Sequence, residues 1–248
     1  MQAYGLGSEK EMAIFATYAM EVQPRLIRCM EISNSISDEV NKHIEEIRNN
    51  GLRTQSQGRV VHLPHVTQLT ENIEAFLYNS KSALRDVAKI FATLFDKQFD
   101  HSKYNEIADW AKIKFGEDSI LHKFISANQG WIKDVVSRRN AVEHPGGYSG
   151  HLHIYNFELE ENGLSRGVVP PRWHRNQDEK TLLHADLPVI LENILKFSED
   201  LLAVSLIQIG SKLPLVIYEI PEEERNPEMP IRLKVTVNTS KLKFNNSP

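Results

Sequence analysis

Residues 67–99, TQLTENIEAFLYNSKSALRDVAKIFATLFDKQF, constrain the fold most. Leu69, Ile73, Phe76, Leu77, Ala83, Leu84, Val87, Ile90, Phe91, Leu94 and Phe95 fall mostly on one face at helical spacing, with charges opposite. A stripe of that period belongs to an amphipathic helix that must bury one side. The same period runs from Ser8 to about Asn50 through Met12, Phe15, Ala16, Ala19, Val22, Leu26, Cys29, Met30, Ile36, Val40, Ile44 and Ile47. Ser8 and Glu11 have capping-box spacing, Pro24 is expected to kink or break the run, and Asn49, Asn50 and Gly51 end it. Further helices are predicted near 104–115, 119–127, 129–143 and 186–209. The chain has 248 residues, 41% of them hydrophobic, which suffices for one substantial core.

Between these helices the period changes. GLRTQSQGRVVHLPHV (51–66) is polar, then briefly β-branched, which suits an exposed loop or a short strand pair. HLHIYNFELEENGLSRGVV (151–169) alternates apolar and polar residues about a turn at 161–163, the pattern of a β-hairpin. Near the C-terminus, PLVIYEI and IRLKVTV read as strands separated by the acidic, proline-containing EIPEEERNPEMP. The expected fold is mainly α: a single domain over 1–248, with a helical-bundle core at about 8–145 and 186–209. A small β-hairpin or sheet appendage occupies about 151–183 and 213–238. No internal repeat is visible.

A formal charge of −4 argues against bulk electrostatic coating of nucleic acid, so any such contact must be local. No run of about 18 apolar residues is present, and MQAYGLGSEKEM lacks the basic-then-apolar pattern of a signal peptide. A cytoplasmic protein without membrane contact is therefore expected. The lone Cys29 cannot form an internal disulfide, and its apolar helical neighbours suggest packing.

SRRNAVEHPGG (137–147) holds the densest chemistry. Were 131–144 one straight helix, Arg139 and Glu143 would be i,i+4 neighbours, as would Asn140 and His144. Arg139 and His144 would then diverge by about 140°. Pro145 disfavours a helical His144, and Gly146 and Gly147 permit a sharp turn, so the imidazole is free to be re-aimed. A permanently charged guanidinium beside a group titrating near neutrality suits phosphodiester chemistry: arginine stabilises phosphorane-like charge while imidazole moves the proton. The bland alternative is a surface ion pair of Arg139 with Glu143, and His144 as a cation favoured by the helix dipole. Arg59 and His65 repeat the spacing in a proline-containing loop that has no helix to hold it. Arg138 is an adjacent candidate for phosphate contact or for plain surface charge.

Arg139, the polar Asn140 directly after it, three further residues and His144, at the end of a helix in an α-helical domain, resemble the Arg-X(4–6)-His motif of the HEPN superfamily. The resemblance is best over about 66–209, and the β appendage is not part of the common core. It implies a HEPN-like helical bundle acting as a metal-independent endoribonuclease, which cleaves RNA by 2′-OH attack at a site composed across a homodimer. Arg139 and His144 would stand at the chemistry, with Asn140 orienting one of them. The implied setting is a toxin or phage-defence role, with an antitoxin or regulatory protein as a further partner and no cofactor. Other members have lost catalysis, so the alternative is a non-catalytic dimerisation, nucleotide-binding or partner-binding module.

Two further groups deserve weighing. GVVPPRWHRN (167–176) sets Arg172, His174 and Arg175 around Trp173, a composition suited to stacking and clamping single-stranded RNA. It equally suits a proline-rich loop whose tryptophan caps the core. His151 with His153, and His62 with His65, have spacings compatible with zinc, but a site needs three or four ligands and no convincing further ones accompany them, so no metal is expected.

Overall fold

The computed structural model describes residues 8–55, 60–99, 103–162, 165–209, 215–226 and 232–237. The side chains of Ser8 and Glu11, the decoy Arg59 and the hairpin residue Gly163 lie outside what it describes. The chain is mainly helical with small antiparallel sheets. Its helices are α1 (Ser8–Ala16), α2 (Gln23–Asn50), α3 (Leu69–Val87), α4 (Ile90–Phe95), α5 (Tyr104–Phe115), α6 (Ile120–Glu143) and α7 (Leu183–Ile209). Its strands are β1 (Arg53–Gln55), β2 (Val60–His62), β3 (Leu152–Tyr155), β4 (Glu158–Asn162), β5 (Ser165–Val169), β6 (Arg172–Arg175), β7 (Thr181–Leu182), β8 (Leu215–Glu219) and β9 (Leu233–Val237). Among the described residues no helix is long and apolar enough to cross a membrane.

Local chemistry explains where the helices depart from the simplest reading of their period. Thr17–Val22, between α1 and α2, is a π-helical turn directly before Pro24. Proline has no N–H and its ring crowds the carbonyl four residues back, so a widened turn absorbs it without ending the run. The stripe at 67–99 splits into α3 and α4, where Lys89 N donates to Asp86 O over three residues (3.1 Å). Asp96 closes α4 in the left-handed region, its N–H donating to Ala92 O. Conversely, 119–127 and 129–143 fuse into α6. Asn128 Nδ2 donates to Phe124 O (2.9 Å) and Trp131 Nε1 to Asn128 Oδ1 (2.8 Å), while Ile125 and Ile132 are buried on either side of Gly130. Those contacts offset the roughly 1 kcal/mol that a mid-helix glycine costs.

Contacts divide the chain into two compact units, residues 1–27, 81–133 and 193–248 in one, 28–80 and 134–192 in the other. The first packs Val22, Leu26, Leu84, Val87, Phe91, Ile107, Leu121, Ile125, Phe197 and Leu201 out of water. Phe91, Phe95, Phe99, Trp110 and Phe115 form an aromatic cluster with ring centroids 5.3–5.8 Å apart. The buried Asp86 accepts from Arg25 Nε (2.7 Å) and pairs with Lys89 (3.1 Å). Burial alone would raise its pKa, but those hydrogen bonds outweigh it and hold the carboxyl below the usual range. Just before β9, Arg232 Nη1 reaches Glu199 (3.0 Å) and Arg232 Nε reaches Glu219 of β8 (3.0 Å).

The second unit holds one apolar cluster: Cys29, Ile32, Ile36 and Val40 of α2, Ile73, Phe76 and Leu77 of α3, Phe157, Trp173, and Leu183 and Leu187 of α7. Cys29 is buried there, its thiol 3.6 Å from Phe76 O. Strands β4 and β5 form the hairpin expected from the alternation, paired from Glu158↔Val169 to Asn162↔Ser165. Strand β3, which the alternation over 151–169 places in that hairpin, instead pairs with β6, and β6 pairs on its other side with β7. PRWHR is thus the start of a central strand and not a loop.

Candidate functional site

Helix α6 ends at the motif. Ala141 is buried and Val142 packs against the apolar cluster, which pins the last turn and leaves Arg139, Asn140 and Glu143 toward its rim. His144 N still donates to Asn140 O (2.9 Å), so the helical ladder runs one residue past Glu143 before Pro145 stops it. The chain then doubles back: Gly147 N donates to His144 O (2.9 Å), Gly146 N to Gly150 O (3.0 Å) and Gly150 N to Gly147 O (2.9 Å).

That turn is fastened from β6 and the residue after it. Arg175 Nη1 donates to Ser149 O (3.3 Å), and Asn176 Nδ2 donates to the same carbonyl (3.4 Å). The His151 N–H donates to Asn176 Oδ1 (2.9 Å), and the Asn176 N–H returns to His151 O (2.9 Å). Gly150 is required here: its φ is +77°, and a Cβ would lie 1.9 Å from Asn176 Oδ1.

Arg139 is mostly covered, with 16% of its side chain exposed, and its guanidinium lies 5.7 Å from the Tyr78 ring centroid. Its Nη2 stands 3.9 Å from Glu143 Oε2, an i,i+4 ion pair longer than a hydrogen bond. His144 is exposed, and among the described residues its ring has no hydrogen-bond partner. Arg139 and Asn140 thus lie in the last turns of α6 and His144 just past its end, with the arginine in a long ion pair and the imidazole exposed.

The other four anticipated residues go elsewhere. Trp173 is 0% exposed and donates from Nε1 to Asp186 Oδ2 (2.6 Å), so an exposed stacking platform on this ring is ruled out. Cross-strand register gives the reason: Ile154 and Thr181 sit opposite Trp173, and this face of the sheet points into the core. Period-2 geometry then puts Arg172 on the opposite face, where it bonds Glu158 (2.7 Å) and Glu160 (2.6 Å). Arg175 shares the inner face and holds the turn at Ser149. Arg138, expected at the surface, has only 13% of its side chain exposed: its guanidinium carbon stacks 4.3 Å from the Trp173 centroid and its Nε donates to Asp134 (2.8 Å). It is a packing residue.

On the outer face of β3 and β6, His153 and His174 stack with centroids 4.8 Å apart, Tyr155 lies parallel to His174, and Lys180 caps Tyr155 at 3.9 Å. The rings cover one another's faces. Among the described residues no three His, Cys, Asp or Glu side chains gather where they could hold a metal ion.

Two exposed rings beside the motif had no signal in the sequence. Tyr78 is 50% exposed under Arg139, and Tyr148 is fully exposed in the turn that begins at His144. Tyr78 sits within a regular helical stripe and Tyr148 within a glycine turn, so neither stood out from its neighbours. Comparison with known proteins finds no matching family model, no matching curated protein and no matching solved structure.

Proposed function

We propose that the chain is a HEPN-like, metal-independent endoribonuclease whose reaction centre is Arg139 and His144, with Asn140 orienting one of them. The observation that carries this reading is the state of the pair: Arg139 stands 3.9 Å from Glu143, and His144 presents an open ring at the helix end. His144 removes the proton from a ribose 2′-OH, and that oxygen attacks the adjacent phosphorus. Arg139 stabilises the charge on the non-bridging oxygens as the P–O5′ bond breaks and the departing 5′-oxygen takes a proton from water to become a 5′-OH.

Around a helix the five-residue step separates the two side chains by about 140°. A second copy, related by a two-fold axis, supplies the missing half of each site. RNA is the substrate, in a toxin or phage-defence setting where an antitoxin or regulatory protein restrains the enzyme. The second reading, a non-catalytic HEPN-like dimerisation, nucleotide-binding or partner-binding module, is favoured by how little of Arg139 is exposed.

The test is to incubate mixed-sequence RNA with wild type and variants and to analyse fragment ends by mass spectrometry. Fragments should end in 2′,3′-cyclic phosphate and begin with 5′-OH, DNA should resist, and cleavage should persist in EDTA. His144→Ala should lower the rate by about 100-fold or more. An inert wild type on many RNAs, or a His144→Ala protein that cuts normally, hands the assignment to the binding module.

A further inference from the structure

From the two exposed phenols we infer a base-stacking surface for single-stranded RNA, formed by Tyr78 and Tyr148 on either half of the Arg139–His144 motif; this rests on the ribonuclease reading for its substrate. Exposure alone would not carry the point, because Met12, Phe15, Met20 and Ile113 are exposed as well, and scattered apolar side chains on a surface are ordinary. Position and the backbone that carries them distinguish the tyrosines.

Tyr78 rides on α3 with its ring under the Arg139 guanidinium, so its orientation is set by a cation that also attracts phosphate. Tyr148 stands in a turn closed by three backbone hydrogen bonds and tied by Arg175 and Asn176, so the fold holds a phenol in water on a fixed mount. That mount begins at His144. Arg139 thus has a half-exposed ring against it, and the turn that begins at His144 carries a second, fully exposed one; rings of this kind hold unpaired bases next to a backbone contact. A duplex offers no free base face, so the surface selects single strands. It also suits a chain of net charge −4, since stacking holds the nucleic acid without a broad basic patch.

The experiment separates binding from cleavage. A 2′-O-methyl RNA of about ten nucleotides with one 2-aminopurine, which lacks the attacking hydroxyl, is titrated with the wild-type chain, free and annealed to its complement. Binding of the single strand with a change in 2-aminopurine fluorescence, and much weaker binding of the duplex, is expected. Tyr78→Ala and Tyr148→Ala should each weaken binding about tenfold or more, while Tyr78→Phe and Tyr148→Phe, which keep the ring, should bind as wild type does. Alanine variants that bind normally, or a wild type that takes single strand and duplex alike or neither, overturn the surface. Unmodified RNA run in parallel keeps the two ideas apart. Binding without cleavage sinks the ribonuclease and leaves the surface standing, whereas normal cutting by the double alanine variant sinks the surface alone.

Discussion

Arg138 and Arg139 are adjacent and chemically identical, yet one lies over a buried indole and the other over an exposed phenol. Arg138→Ala removes the cation from Trp173 and the Asp134 bond, and should lower unfolding free energy by about 1–2 kcal/mol. Arg139→Ala, which loses a mostly covered side chain and the cation over Tyr78 but no hydrogen bond to an acid, should cost about 1 kcal/mol while lowering RNA cleavage about 100-fold. Urea unfolding and a cleavage assay on both variants check this, and any loss of activity with Arg138→Ala beyond its loss of folded protein would contradict the division. Trp173→Phe deletes the donor to Asp186 together with part of a fully buried ring, and should cost about 2–4 kcal/mol.

At the level of elements, helix period was readable because burial of one face is a repeating demand: α2, α3, α5 and α7 lie where their apolar residues recur. Their joints were less readable, since the break between α3 and α4 and the continuity of α6 depend on Lys89, Asn128 and Trp131 bonding within a turn. Strand β6 was hidden for a different reason. Four residues with charges on both faces show no alternation, and only pairing on both sides reveals that Trp173 is interior. The motif at 139–144 was visible as spacing, whereas Tyr78 and Tyr148 became candidates only through their neighbours.

Two predictions belong to this scale. Gly150→Ala must displace Asn176 and adopt a positive φ, so it should destabilise the turn and weaken RNA cleavage although residue 150 touches no substrate. A variant with wild-type stability and rate would show that the turn has no part in placing His144. Asp86 contributes to the acid limb: its folded pKa lies below the unfolded value of about 3.9, so its stabilisation is complete above that pH and is lost as pH falls through the folded value. Asp86→Asn should cost about 1.5–3 kcal/mol near pH 6, the range for hydrogen bonds to charged groups, and the gap between variant and wild type should narrow below about pH 4 in urea titrations.

For the whole molecule the question is whether one chain suffices. On the proposed reading, the five-residue step turns Arg139 and His144 about 140° apart, and a site that joins them would take the arginine from one copy and the histidine from the other. The purified chain should sediment as a dimer at micromolar concentration. Mixing gives the sharper result: Arg139→Ala and His144→Ala chains are each inactive alone, but a mixed dimer holds one site with both groups intact and one with neither. If subunits exchange freely, half of the dimers are mixed and each carries one of two sites, so an equal mixture should recover about a quarter of the wild-type rate. No recovery, with exchange verified by differently tagged chains, would place both groups of each site in one chain. A monomer that cuts at full rate would remove the partner altogether.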